Sequence, residues 1–186
     1  MARFVYIDNS NVFIEGQRVA AVNGGYALDM DDAQRRGIFY GGYRLDFGKL
    51  YDFLTRNGDP EIKRVALFGS RPPPNDSLWE IAKRKGFEPI IEDRSPSNRE
   101  KKIDTGIVVA MMEDAYKRAD KAADSFTLVA GDSDYVPAVR ALVEGGFTVN
   151  ITFWRHASRE LQRTGSKFID MDPHFNALAL KDERKT

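Results

Sequence analysis

Short apolar runs alternate with stretches of helical periodicity along almost the whole chain. Phe4-Val-Tyr-Ile7 is apolar at four successive positions, and further strand-like stretches fall at 64–68, 87–91 and from Thr127 to Gly131. Runs without polar alternation predict strands covered on both faces, as in a parallel sheet. Phe147-Thr-Val-Asn-Ile-Thr-Phe-Trp154 alternates cleanly instead, which predicts a fifth strand with one side less covered, and 167–169 reads as a sixth, edge strand. Between these runs the apolar positions recur at helical spacing. One helix begins near Val12 with Asn9, Ser10 or Asn11 as its cap, and another carries Phe47, Leu50, Phe53 and Leu54 and stops at Asn57-Gly58. A third, capped by Asn75 or Asp76, carries Leu78, Ile81 and Ala82 and stops at Gly86. A longer one opens at Ile103 and buries Ile107, Ala110, Met111 and Ala115. Two more follow, after Asp134 up to Gly145-Gly146 and over 158–163. Strand–helix alternation of this kind marks a βαβ parallel sheet.

Two stretches break the rhythm. Residues 23–44 are punctuated by five glycines and hold Tyr26, Phe39, Tyr40 and Tyr43, which reads as an insertion with a short helix near 31–36. Its aromatics are of the type that stacks on bases, but packing onto the body is the favoured reading. Residues 94–102, rich in charge with Ser, Pro and Asn, read as a mobile loop. Residues 1–180 form one expected domain and 181–186 a charged tail.

Composition narrows the classes. The chain has 186 residues, 42% hydrophobic and 30% charged, with zero formal net charge and no cysteine. That is ordinary for a soluble globular domain. It provides no global basic field for nucleic acid, although a local patch can serve. Disulfides, thiolate zinc sites and cysteine nucleophiles are excluded. No leader segment and no run of membrane-spanning length is visible, so a cytoplasmic protein without membrane contact is expected. No glycine-rich dinucleotide fingerprint or phosphate-binding lysine loop occurs.

The chemistry gathers where strands end. Asp8 follows the first run directly, Asp132 and Asp134 follow the fourth, and Asp104 opens the helix after the third. Right-handed crossovers place all four points on one edge of the sheet, and up to four carboxylates surround one cleft if strands one, three and four are neighbours. At helix starts Asp104 and Asp134 also have the ordinary explanation of capping, whereas Asp8 and Asp132 lack an evident structural duty. A pocket of aspartates without a balancing lysine suits a hard divalent cation such as Mg2+, and such a site suits phosphodiester hydrolysis. Asn11 is placed to steady an Asp8 oxygen or a metal-bound water.

Tyr6-Ile-Asp-Asn-Ser-Asn11, Lys102-Ile-Asp-Thr-Gly106 and Ala130-Gly-Asp-Ser-Asp-Tyr-Val-Pro137 resemble the three signature blocks of NYN-domain proteins, relatives of the PIN-domain ribonucleases. The resemblance spans roughly residues 3 to 155. It implies a three-layer α/β/α sandwich with a mainly parallel sheet of five to six strands and a Mg2+- or Mn2+-dependent nuclease site. Carried over by position, Asp8, Asp104, Asp132 and Asp134 are the acids, both catalytic and metal-binding, and Asn11 supports them. The substrate so implied is RNA; in-line attack by metal-activated water does not need the 2′-hydroxyl, so the expected products are a 5′-phosphate and a 3′-hydroxyl.

RNA also needs cations beside the acids. Arg99, Lys101 and Lys102, with Arg94, flank the Asp104 block, Arg71 follows the second strand, and Arg155, Arg159 and Arg163 recur every four residues as one helical face. His156 and His174 match no nucleophile or metal spacing, and Trp154 reads as a half-buried core residue. Two rival functions are a non-catalytic RNA-binding module and a Mg2+-dependent phosphatase. The second lacks the usual additional aspartate two positions after Asp8, where Ser10 stands. Homo-oligomer formation is compatible with everything above.

Overall fold

The computed structural model describes residues 2–55, 61–70, 77–92 and 99–181, the side chains of 99–102 excepted. Arg71, Arg94, the expected stop at Asn57-Gly58, the cap at Asn75 or Asp76 and residues 182–186 of the tail lie outside that range. The strands are β1 (Ala2–Asp8), β2 (Glu61–Ser70), β3 (Glu88–Glu92), β4 (Ser125–Val129), β5 (Thr148–Phe153) and β6 (Lys167–Asp170). The helices are α1 (Asn9–Asn23), α2 (Met30–Arg36), α3 (Phe47–Thr55), α4 (Ser77–Arg84), α5 (Arg99–Lys117), α6 (Val136–Glu144), α7 (Arg159–Thr164) and α8 (Phe175–Leu178). Six strands form one sheet in the order β3-β2-β1-β4-β5-β6, every pair parallel.

Period-two alternation explains the layering. On β1, Val5 and Ile7 face a core closed by Val12 of α1, Leu50 and Leu54 of α3, and Trp79 and Ala82 of α4. Phe4 and Tyr6 point the other way, into Ile107 and Met111 of α5, Val139 and Leu142 of α6 and Leu161 of α7. Both faces are covered, so the chain is an α/β three-layer sandwich. No helix among the described residues is long and apolar enough to cross a membrane.

Three expectations change. The strands beside β1 are β2 and β4, while β3 lies at an edge. Asp104 therefore does not reach the acids from a neighbouring strand; it is brought there by α5, which crosses back over the β1 side of the sheet and buries Ile103, Ile107 and Met111 against it. Helix α5 also starts at Arg99, so the expected loop ends earlier than 102 and Asp104 lies within the helix instead of capping it. Finally, Arg155 precedes α7, whose cap is Ser158, so Arg155 and Arg159 do not share a helical face.

The 23–44 segment divides in two. Tyr43 is buried, stacked on Phe175 at 4.3 Å and edge-on to Trp154 at 6.3 Å. Tyr26 and Tyr40 stack on each other at 5.4 Å and stay exposed with Phe39. Trp154 is wholly buried, not half-buried, and its indole N–H donates to the Val12 carbonyl at 2.9 Å.

Candidate active site

The strand order reverses between β1 and β4, and in open parallel sheets ligands bind beyond the carboxyl ends of strands at such a reversal. The turn after β1 carries Asp8-Asn-Ser-Asn11 in place of the glycines of a dinucleotide cradle. Asp8 caps α1: its Oδ1 accepts from the Asn11 backbone N–H at 3.1 Å and from Ser10 Oγ at 2.9 Å. After β4, Asp132 caps a 3-10 turn (Ser133–Tyr135), accepting from the Asp134 N–H at 3.0 Å. The capping duties thus belong to the two strand-end aspartates, the reverse of the expectation. The loops are tied together by Asn11, whose Oδ1 accepts from the Gly131 N–H at 2.9 Å. That is a bond to the other loop's backbone, where a bond to Asp8 or a metal-bound water was expected of its side chain.

A cavity of about 190 Å³ opens here, lined by Asp8, Asp104 and Asp132 together with Ser10, Asn11, Glu15 and Arg18. Asp134 is not among its walls; its charge reaches Asp104. The centre of the cluster is a residue that the sequence reading passed over. Tyr135 is fully buried, and its hydroxyl lies 2.7 Å from Asp104 Oδ1 and 3.1 Å from Asp8 Oδ2. One phenol has one proton, so it donates to one carboxylate at a time. Burial and the two carboxylates push its pKa above the ordinary tyrosine value.

Burial likewise raises the Asp8 carboxyl; hydrogen bonds from Asn11, Ser10 and Tyr135 oppose this, the Asp132 charge adds to it, and the net shift is upward. Asp104 is raised by burial and by the charges of Asp8, Asp132 and Asp134, against the Tyr135 hydrogen bond. The one described cation on the wall, Arg18, is ion-paired with Glu15. Glu15 also meets His156 Nε2 at 2.7 Å. Spacing could have revealed Glu15, because it lies four residues after Asn11 and seven after Asp8, on one face of α1.

The donors fit a hydrated hard cation but do not form a closed cage. Among the described residues no three acid or histidine side chains lie close enough to ligate one ion. Mg2+ usually keeps several waters and needs one or two carboxylates, and the cavity offers oxygen donors with uncompensated negative charge. Of the expected phosphate-binding groups, Arg155 is held by Asp170 at 2.9 Å and is not part of the cavity wall. Arg159 opens α7, and the side chains of Arg99, Lys101 and Lys102 lie outside the described residues.

The family model for the NYN domain matches residues 5–172. The chain belongs to the NYN-domain family. No curated protein matches the sequence. Among solved structures, a Vibrio parahaemolyticus protein of unknown function superposes with a TM-score of 0.67 at 17% identity, covering 96% of each chain. That likeness extends the fold over nearly the whole NYN chain.

Proposed function

We propose that this NYN domain is a divalent-cation-dependent nuclease that hydrolyses RNA phosphodiesters internally. The observation that carries the reading is the meeting of Asp8, Asp104 and Asp132 in one cavity at the strand-order reversal. Membership in a family of nuclease type supports it, and the choice of RNA rests on that family alone.

Asp104 and Asp132 would hold Mg2+ or Mn2+, with Asp8 behind them and Asp134 adding charge. When bound, such a cation lowers the pKa of water and stabilises the leaving oxygen. The protein's own contribution is pre-organisation. Helix capping fixes the Asp8 and Asp132 carboxylates, Tyr135 sets the distance between Asp8 and Asp104, and the Asn11–Gly131 bond keeps the β1 and β4 loops in register. Oxygens held this way need little rearrangement as charge develops. Arg159, Arg99, Lys101 and Lys102 are the candidate phosphate contacts.

The test is cleavage of a mixed-structure RNA by purified protein with Mn2+ or Mg2+, against EDTA and an Asp132→Asn variant. Metal-dependent cutting that the variant loses supports the reading, and equal cutting by both proteins refutes it. A non-catalytic RNA-binding module is the second reading, favoured by the capping duties of Asp8 and Asp132 and by the missing three-ligand cluster. RNA binding that EDTA leaves unchanged, with no cleavage, would select it.

A further inference from the structure

The strand that alternates, β5, directs Asn150 and Thr152 to the face where β4 buries Val129 and β1 buries Val5 and Ile7. Thr127 of β4, Asn150 of β5 and Lys167 of β6 lie in direct cross-strand register, a polar row across three adjacent strands. Thr152 follows two residues along β5, and Arg3 of β1 flanks the row. Together with Phe53 of α3 they line a separate cavity of about 290 Å³. It sits on the α3 side of the sheet, and none of Asp8, Asp104, Asp132 or Asp134 is among its walls.

This cavity has the opposite electrostatic character to the acid site. It contains two cations and, among the described residues, no carboxylate. Arg3 donates through Nη1 to the Leu54 carbonyl at 3.0 Å, while its buried Nε has no partner among the described residues. Thr152 is 1% exposed, and its hydroxyl also has no partner among the described residues. Unsatisfied buried donors of this kind are rare in native structures and call for an explanation. Burial also lowers the Arg3 pKa, as befits a cation with no compensating anion. Lys167 has no acid partner among the described residues and stands exposed at the rim.

We propose that this cavity binds a small phosphate-bearing anion, from free phosphate up to a mononucleotide. Guanidinium and ammonium groups supply charge-assisted donors, Thr127, Asn150 and Thr152 supply neutral ones, and Phe53 offers a ring against which a base can pack. The volume is at the lower end for ligand pockets, which limits the occupant to that size.

Thermal denaturation of the full chain in EDTA tests this with inorganic phosphate, adenosine 5′-monophosphate and adenosine. EDTA removes cation-mediated binding at the aspartates. Phosphate or the monophosphate should raise Tm by several degrees in a saturable manner, and the nucleoside should not. A response to phosphate alone identifies an oxyanion site; a response to the monophosphate only identifies a nucleotide site. Lys167→Glu, at an exposed position, should weaken the effect on the order of tenfold. Thr152→Val should raise the Tm of the free protein and reduce the anion-dependent rise. Asp132→Asn should retain the full rise. Absence of any anion-dependent rise in the wild type overturns the proposal, and so does a rise abolished by Asp132→Asn but untouched by Lys167→Glu.

Discussion

Replacing Asp104 by asparagine should stabilise the cation-free protein while removing the proposed nuclease activity. The Asp8 and Asp104 oxygens share the Tyr135 hydroxyl at 3.1 and 2.7 Å. They therefore stand within about 6 Å, where two like charges repel by about 3 kcal/mol at an effective dielectric near 20. Asp104 is only partly buried, so solvent screening reduces this. The asparagine oxygen still accepts from Tyr135, but trading a charged acceptor for a neutral one forfeits about 1 kcal/mol. The expected balance is a gain of about 1 kcal/mol, or about 2–4 °C in Tm. Urea and thermal unfolding in EDTA measure it directly. Adding Mg2+ should then stabilise the wild type more than the variant, because binding to the folded state adds to its stability. If Asp104→Asn is clearly destabilising in EDTA, the carboxylates are not in repulsive conflict, and the electrostatic argument for a cation fails.

Tyr135→Phe removes the hydroxyl between the same carboxylates and should cost about 1–3 kcal/mol in denaturant unfolding, with part of the loss restored by Mg2+. Gly131→Ala should be worse: an added Cβ would meet the buried Phe153 ring at 2.2 Å, while the backbone is tied to Asn11 and Ser158. Overpacking of this kind costs about 1–3 kcal/mol or more, and cleavage should fall with it because Asp132 is the next residue. Asp114→Asn removes a buried charge that accepts from Tyr6, Arg64 and Arg118, each at 2.7 Å, and should destabilise by about 3 kcal/mol near neutral pH. Burial alone would raise the Asp114 carboxyl, but hydrogen bonds from Tyr6 and Arg64 and the nearby positive charges hold it below its ordinary 3.8. Its contribution is thus complete above pH 3.8 and lost as pH falls through the folded value, so urea unfolding should show the variant and wild type converging in acid.

The parts of this molecule legible in the sequence were those written in local patterns. Unbroken apolar runs such as Phe4–Ile7 require cover on both faces, and that predicted the parallel sheet and the strand-end position of Asp8. Strand order is different, because period-two alternation says which face a side chain takes and nothing about which strand lies beside it. That is why a place for β3 beside β1 could only be assumed, and β3 is found at the edge. Asp104 was misread for a related reason: a charged stretch that looks like a loop can be helical once α5 has the buried stripe of Ile103, Ile107 and Met111 to anchor it. Tyr135 was invisible because a tyrosine at the start of an amphipathic helix has the pattern of a core residue, and it is one. Only the three-dimensional approach of α5 to the β4 loop turns its hydroxyl into a bridge between two acids.

Capping and cation binding are usually set against each other as explanations for an aspartate at the start of a helix. Here lone-pair accounting lets them divide the work. An ionised carboxylate has about four acceptor positions. Asp8 commits two of them, to Ser10 and the Asn11 N–H, and a third whenever the single Tyr135 proton turns to it. Asp132 commits two, one of them to Ser133 at a long 3.4 Å, and Asp104 commits at most one among the described residues, to Tyr135 when its proton is not on Asp8. Asp8 is therefore the most firmly fixed acid and has the least room for a direct ligand bond. It serves best as buried charge behind the site, with Asp104 and Asp132 presenting free oxygens to the cavity. A hydrated cation that takes only one or two protein oxygens matches that division. On this argument the caps are part of how a site with so few free oxygens holds its shape.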